Sequence, residues 1–181
     1  MTVFYAFGFD RISVVVGDLY FVDPNPLAGQ EGPERGVRLE VRLAAPGELR
    51  GSIYSARPIA IERPLWRLDL LESVDGPAGT FDRTHHHPRF DGWEPCERVF
   101  VKELSADPLG WLAEQLADLG ALFAASGLAP DLLGPSDPAD VRAAAPEIVQ
   151  ATGRLLARVH SGELAKPPDG TPLTNARESW L

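Results

Sequence analysis

Residues 37–44, VRLEVRLA, alternate strictly between apolar and other side chains, and this segment decides the fold class of the chain. In an extended strand, the two valines and two leucines would point to one side and the residues between them to the other. An apolar face beside a polar face is typical of an antiparallel sheet that packs on one side only. The segment therefore predicts a half-buried antiparallel strand whose charged face lies in water.

Segments on both sides of this strand are also rich in β-branched and aromatic residues, with glycines and prolines between them. Residues 3–22 predict two or three strands. Residues 65–74 predict another, because Trp66, Leu68 and Leu70 alternate there with charged residues. With shorter candidates, including residues 49–55 and 98–104, we expect about eight strands before residue 105.

The pattern changes at Ser105, where helical signals replace strand signals. Asp107 can cap a helix that starts with Pro108, and apolar residues then recur every three or four positions until Gly127. A second helical region is expected in two parts: a short helical turn from Asp137 to about Ala144, and a helix that Pro146 opens and Gly162 ends. Strands followed by helices indicate an α+β fold, in which C-terminal helices pack on a curved antiparallel sheet or a small open barrel.

These patterns predict a single domain over residues 1–165 of the 181-residue chain. Residues 1–104 are expected to be mainly β, and residues 105–165 mainly α. Residues 166–181 are predicted to be a Pro-rich tail.

The composition excludes several classes of function. The formal net charge is −9, and no run of Lys or Arg is present, which argues against binding to nucleic acid or anionic membranes. One cysteine excludes an intramolecular disulfide and fits a reducing compartment. The N-terminal segment does not resemble a secretory signal, and no apolar stretch is long enough to span a bilayer. We therefore expect a cytoplasmic protein.

Three of the four histidines, His85, His86 and His87, lie consecutively in the sequence. Pro88 disfavours a helix at the preceding residue, so the segment is expected to be extended. His85 and His87 would then share one face, with Cα atoms roughly 6.5–7 Å apart, and His86 would face the other way. Both imidazoles of the shared face could reach one metal ion.

Acidic residues follow the histidines, and a turn could bring Asp91 or Glu94 back as a carboxylate ligand. Two histidines and one carboxylate with open positions are the ligand set of catalytic zinc and non-haem iron. The segment therefore predicts a divalent transition metal, zinc or iron, bound by His85, His87 and one of these acids.

The order Gly79, five residues, His85, one residue, His87, three residues, Asp91 resembles the first metal motif of the cupin family. The resemblance implies a β-barrel that places two histidines and an acid on a divalent metal. Asp91 stands where that family has glutamate. The glycine expected after the acid is missing, and a second motif with a further histidine is not present.

Other interpretations of the same segment need no metal. Arg83, Arg89 and Arg98 could hold an anionic substrate, since guanidinium pairs bidentately with carboxylate or phosphate. One histidine, which we take to be His86, would then transfer a proton, oriented by Asp82 or Asp91. The structural alternative is a solvated histidine tract whose arginines form ordinary surface ion pairs.

Two classes of function follow. The leading hypothesis is a metal-dependent enzyme that hydrolyses or oxidises a small molecule. The rival is a non-enzymatic module that docks to a protein partner through an acidic surface, which would suit the Pro- and Gly-rich segment 23–36. The amphipathic helix over residues 109–126 could pair in a homodimer, although packing on the sheet is its simpler use.

Overall fold

A computed structural model describes residues 1–167 and 175–181 of the chain. Its main sheet is antiparallel and follows chain order from β1 to β5. These strands are β1 (Phe4–Gly8), β2 (Ile12–Val22), β3 (Glu34–Pro46), β4 (Ile59–Ser73) and β5 (His85–His87). The short strands β6 (Phe90–Asp91) and β7 (Glu94–Pro95) form a separate hairpin, and β8 (Ala176–Glu178) pairs with β2.

Helices follow the sheet in the sequence and cover one of its faces. They are α1 (Lys102–Ala106), α2 (Pro108–Ala117), α3 (Leu119–Ala125) and α4 (Asp137–His160). Helix α4 packs on α2 and on strands β2 and β3. The sheet is open, so the expected α+β class with an antiparallel sheet and C-terminal helices is confirmed, and the described residues do not form the barrel that the cupin resemblance implied.

Apolar residues at alternate positions along β2, β3 and β4 face these helices and form the core. Val14, Leu39 and Leu68 lie on this face with Trp66, and each is at most 1% exposed. The alternation that predicted β3 and β4 therefore identified the packed face correctly, since side chains at every second position share one side of a strand.

Two helical segments differ from the expected ones. The Asp107 side chain caps α2 by accepting from the Gly110 amide at 3.0 Å, as predicted. The helix is interrupted at Asp118, whose carboxylate accepts from the Ala121 amide and starts α3. Conversely, α4 continues through Pro146, where a new helix was expected. A proline inside a helix is unfavourable because it removes one backbone donor and crowds the preceding turn. The buried residues Val141, Ala145 and Ile148 nevertheless pack this part of α4 into the core.

Several strand predictions were wrong. Residues 49–55 form turns and bends, and β4 begins only at Ile59. Residues 98–104 contain no strand; Val99 makes one isolated bridge to His86, and α1 begins at Lys102. Of the expected tail, residues 168–174 lie outside the described residues, whereas residues 175–181 contain β8.

The charged face of β3 and β4 is the largest departure from expectation, because it is buried. Arg38, Glu40, Arg67 and Asp69, which we call the charged layer, are 5%, 0%, 8% and 1% exposed. The strand register pairs Arg38 with Asp69 and Glu40 with Arg67 directly across β3 and β4. Opposite charges thus face each other at adjacent positions, which lets the layer be buried without isolated charges.

The β6–β7 hairpin lies against this charged layer. The Arg67 guanidinium lies 4.9 Å from the centre of the Phe90 ring, and the Arg42 guanidinium lies 5.9 Å from that of Trp93. The histidine strand β5 extends the same face beyond β4.

In the described ranges, no helix combines the length and the apolar character needed to cross a bilayer.

Candidate metal centre

Three potential metal ligands converge where β4 meets β5. The register places Asp69 opposite His85, and His87 two positions along β5 returns to the same face. The Nε2 atoms of His85 and His87 lie 3.2 Å apart, and they lie 3.4 and 3.7 Å from Asp69 Oδ2. Among the described residues, this Asp/His/His cluster is the group of three or more metal-ligating side chains whose ligand atoms all lie within 4.8 Å of one another.

Backbone carbonyl groups fix both imidazole rings. His85 Nδ1 lies 2.8 Å from the Arg83 carbonyl oxygen, and His87 Nδ1 lies 2.5 Å from the Cys96 carbonyl oxygen. A carbonyl oxygen can only accept, so each Nδ1 carries a hydrogen and donates it. In the neutral rings both Nε2 lone pairs then point at each other and at a carboxylate, and such a meeting of acceptors is favourable only around a cation or a proton.

The separations also fit a metal ion. Ligand atoms about 2.1 Å from a metal are about 3.0 Å apart in octahedral and about 3.4 Å apart in tetrahedral geometry. The distances of 3.2, 3.4 and 3.7 Å within the cluster are close to these values. A carbonyl that accepts from the second nitrogen of a metal-binding histidine is the usual support for such ligands.

Arg38 holds the carboxylate of the cluster from its other side. Its Nε donates to Asp69 Oδ1 at 2.6 Å and its Nη2 to Asp69 Oδ2 at 3.0 Å. Burial alone would raise the pKa of Asp69, but the Arg38 charge and the neighbouring imidazoles outweigh it and lower this pKa well below its ordinary value. The carboxylate is therefore ionised, with one lone pair of Oδ2 left for the cluster.

A cavity of about 310 Å³ opens beside the cluster and includes its three side chains in the wall. Polar, charged and aromatic groups share the lining. The lining residues are Phe21, Asp23, Arg38, Arg67, Asp69, His85, His87, Trp93, Glu94, Pro95, Arg98 and Arg177. A small molecule could thus reach the open side of the cluster.

The two acids that the sequence suggested as ligands lie in the β6–β7 hairpin. Asp91 and Glu94 are exposed and face each other across it. Glu94 lines the cavity, but neither residue belongs to the Asp/His/His cluster. The carboxylate that the structure brings to His85 and His87 is that of Asp69, from the preceding strand of the sheet.

Of the three arginines that the sequence suggested for an anionic substrate, Arg83 and Arg89 do not line the cavity. Arg83 is buried, donates to the Glu31 carbonyl and lies beside Asp82 and Glu34. Arg89 is exposed and does not line the cavity. Arg98 lines it.

His86, the suggested proton carrier, lies on the opposite face of β5. Its ring centre is 6.1 Å from that of Trp66 and 5.4 Å from that of Trp111, under the helices. Burial, together with the positive charge that His87 and His85 can carry, lowers the pKa of His86 to about 4. It is therefore neutral near pH 7 and separated from the cavity by the sheet.

Sequence reasoning missed Asp69, Arg38 and Arg67. A signal was present, because charged residues alternate with apolar ones in both β3 and β4, and their charges are complementary. The pairing of Asp69 with His85 depends on strand register over a separation that local patterns do not encode.

Comparisons with protein-family models, with curated proteins and with solved structures gave no match for this chain.

Proposed function

We propose that Asp69, His85 and His87 bind one divalent transition metal, zinc or iron, and that the protein is a metal-dependent enzyme acting on a small molecule. The observation that carries this proposal is the hydrogen bonding of both Nδ1 atoms to backbone carbonyls, which leaves two Nε2 lone pairs converging on an ionised carboxylate. Three protein ligands on one side of a site leave positions free on the other.

The chemistry divides between the ion and the chain. A divalent metal held there would supply Lewis acidity to a water or a substrate oxygen in the cavity, as in metal-assisted hydrolysis. Oxidation would need iron, because zinc has no redox chemistry. The chain itself fixes the geometry, because Arg38 holds the carboxylate and the carbonyls of Arg83 and Cys96 hold the rings. Because the three ligand residues are buried, the cavity is the side from which a water or a substrate would reach the cluster.

The test is metal binding by protein prepared without a histidine tag. Titration calorimetry and elemental analysis should find one equivalent of zinc, or of ferrous iron under anaerobic conditions, with a dissociation constant of micromolar or below. D69N, which keeps the side-chain shape, and H87A should each weaken binding at least about 100-fold, since each removes one of three ligands.

Two variants serve as matched controls. H160Q removes a histidine outside the cluster, and C96S removes a thiol whose residue contributes only its carbonyl oxygen to the site. Both should bind metal like the parent protein. Less than about 0.1 equivalent of bound metal in the parent at micromolar concentrations would refute the proposal, as would unchanged binding by folded D69N and H87A.

A second candidate function is docking to a protein partner, and one observation favours it. Ile53, Tyr54 and Ile59 around the turn that joins β3 to β4 are 83%, 91% and 80% exposed. Clustered exposed apolar side chains often mark interaction surfaces. Self-association through this hairpin would appear as a mass increase with concentration in light scattering that the double variant I53S/Y54S abolishes; a monomer at all concentrations would count against it.

A further inference from the structure

The geometry points to a small organic anion as the ligand of the cavity, with its carboxylate or phosphate group bound by the free edge of the Arg67 guanidinium. This inference rests on the proposed metal site and names the class of molecule that the site would take. It assigns the anion to an arginine of β4 rather than to the arginines that flank the histidine tract.

The Arg67 guanidinium has hydrogen-bond donors that no protein acceptor uses within the described residues. Its Nε donates to Glu40 Oε1 at 2.7 Å, and within residues 1–167 and 175–181 its two terminal nitrogens donate to no protein acceptor. The side chain lines the cavity and is only 10% exposed, with the guanidinium stacked on Phe90. A held guanidinium with unused parallel donors is suited to a carboxylate or phosphate.

Two neighbouring arginines of the cavity are already engaged by acids. Arg38 makes two hydrogen bonds to Asp69, and Arg98 makes two to Glu34 and one to Gln30. Arg67 is therefore the buried guanidinium of the cavity best able to accept a new anionic partner. Arg177, exposed on β8, lies at the cavity wall and could add a second contact.

Arg67 also stands next to the metal ligands. It pairs across the strands with His87, and it shares its face of β4 with Asp69 two residues away. Facing residues on neighbouring antiparallel strands have Cβ atoms about 4.5–5.5 Å apart. One small anion could therefore place one oxygen toward the open side of the cluster and another toward Arg67.

Charge and space favour the same ligand. The charged layer contains two arginines and two acids, so a divalent cation would leave this group with an excess positive charge. The cavity of about 310 Å³ has room for about ten water molecules, and Phe21 and Trp93 provide an apolar wall.

The test uses zinc-loaded protein and three probes of suitable size: benzoate, phenyl phosphate and neutral benzamide. Calorimetry should show binding of at least one anion and at least about tenfold weaker binding of benzamide. R67M should weaken anion binding at least about tenfold without weakening zinc binding, since the variant removes a positive charge near the ion. Glu40 retains Arg42 as a partner at 2.6 Å in that variant. R67K, which keeps the charge without the planar fork, should be intermediate, and R89Q, which changes an arginine outside the cavity, should bind like the parent.

The outcomes separate the two proposals. Zinc binding without binding of either anion, or anion affinity equal in R67M, R67K and the parent, would overturn the inference and leave the metal site standing. If R67M is unfolded by circular dichroism, R67K decides. A parent protein that binds no metal would overturn both proposals.

Discussion

Three consecutive histidines occupy two different environments because β5 is extended. His85 and His87 point to the cavity, where backbone carbonyls hold their Nδ1 atoms. His86 points to the core between two tryptophans, and its Nδ1 is buried with no hydrogen-bond partner among the described residues. Adjacent residues of the same type thus lie on opposite faces of the sheet, which composition alone cannot predict.

The lowered pKa of His86 predicts how stability depends on pH in the metal-free protein. The pKa is about 4 in the folded state against 6.5 for the ordinary ring, so the unfolded chain binds more protons between these values. The free energy of unfolding therefore falls as pH decreases from 6.5 toward 4. The difference corresponds to about 3 kcal/mol for a fully buried ring, and partial exposure reduces our expectation to about 2 kcal/mol.

Chemical denaturation of the parent and of H86F at several pH values would measure this effect. Phenylalanine keeps an aromatic ring between the tryptophans and cannot titrate. H86F should therefore lose about 2 kcal/mol less than the parent between pH 6.5 and 4, whereas carboxylates elsewhere titrate in both proteins. Equal slopes in the two proteins would show that His86 does not carry the dependence.

At the level of elements, one buried side chain ties the longest helix to the sheet. The Asp137 carboxylate, 0% exposed, accepts from the amides of Asp10, Arg11 and Gly134. These amides belong to the β1–β2 turn and to the loop before α4. The contact fixes the start of α4 against the start of β2, next to strands of the charged layer.

D137A should accordingly cost about 3 kcal/mol of unfolding free energy, because three amides lose a charged acceptor in a buried place. D118A, at the exposed cap of α3, should cost only about 1 kcal/mol, since water can replace that acceptor. Urea denaturation of both variants gives the comparison. A D137A cost no larger than that of D118A would mean that the contact does not hold the two elements together.

Periodicity predicted most elements because it depends on neighbours in the chain. The alternation around Leu39 and Trp66 indicated strands and their packed face, and Asp107 with Pro108 indicated where α2 begins. The cap at Asp118 that divides the helix was not recognised, although the sequence contained it. For the site, the sharing of one face by His85 and His87 was predictable, whereas their meeting with Asp69 required the sheet register.

Across the whole molecule, the sheet separates an apolar layer under the helices from the charged layer beside the cavity. The prediction of a solvated face was wrong because alternation does not reveal whether a second cover exists. Here the β6–β7 hairpin provides part of that cover. A sheet buried on both faces, with complementary charges on one, is the arrangement that positions the Asp/His/His cluster.

The Arg38–Asp69 pair of this layer allows a double-mutant cycle in the metal-free protein. R38M and D69L should each cost about 3–5 kcal/mol, because each leaves its partner charge buried. The double variant should be within about 2 kcal/mol of the parent, since apolar replacement of both charges removes the penalty of burying them. Denaturant titration measures all four proteins, and costs that simply add would mean that the pair is not coupled.

The buried charges of this layer also bear on the response to heat. Hydration of ions becomes less favourable as temperature rises, so the cost of keeping Arg38, Glu40, Arg67 and Asp69 out of water falls on warming. Apolar contacts gain little more over the same range. The charged layer should consequently contribute most to the free energy of unfolding near the melting temperature, where stabilisation by apolar contacts no longer increases.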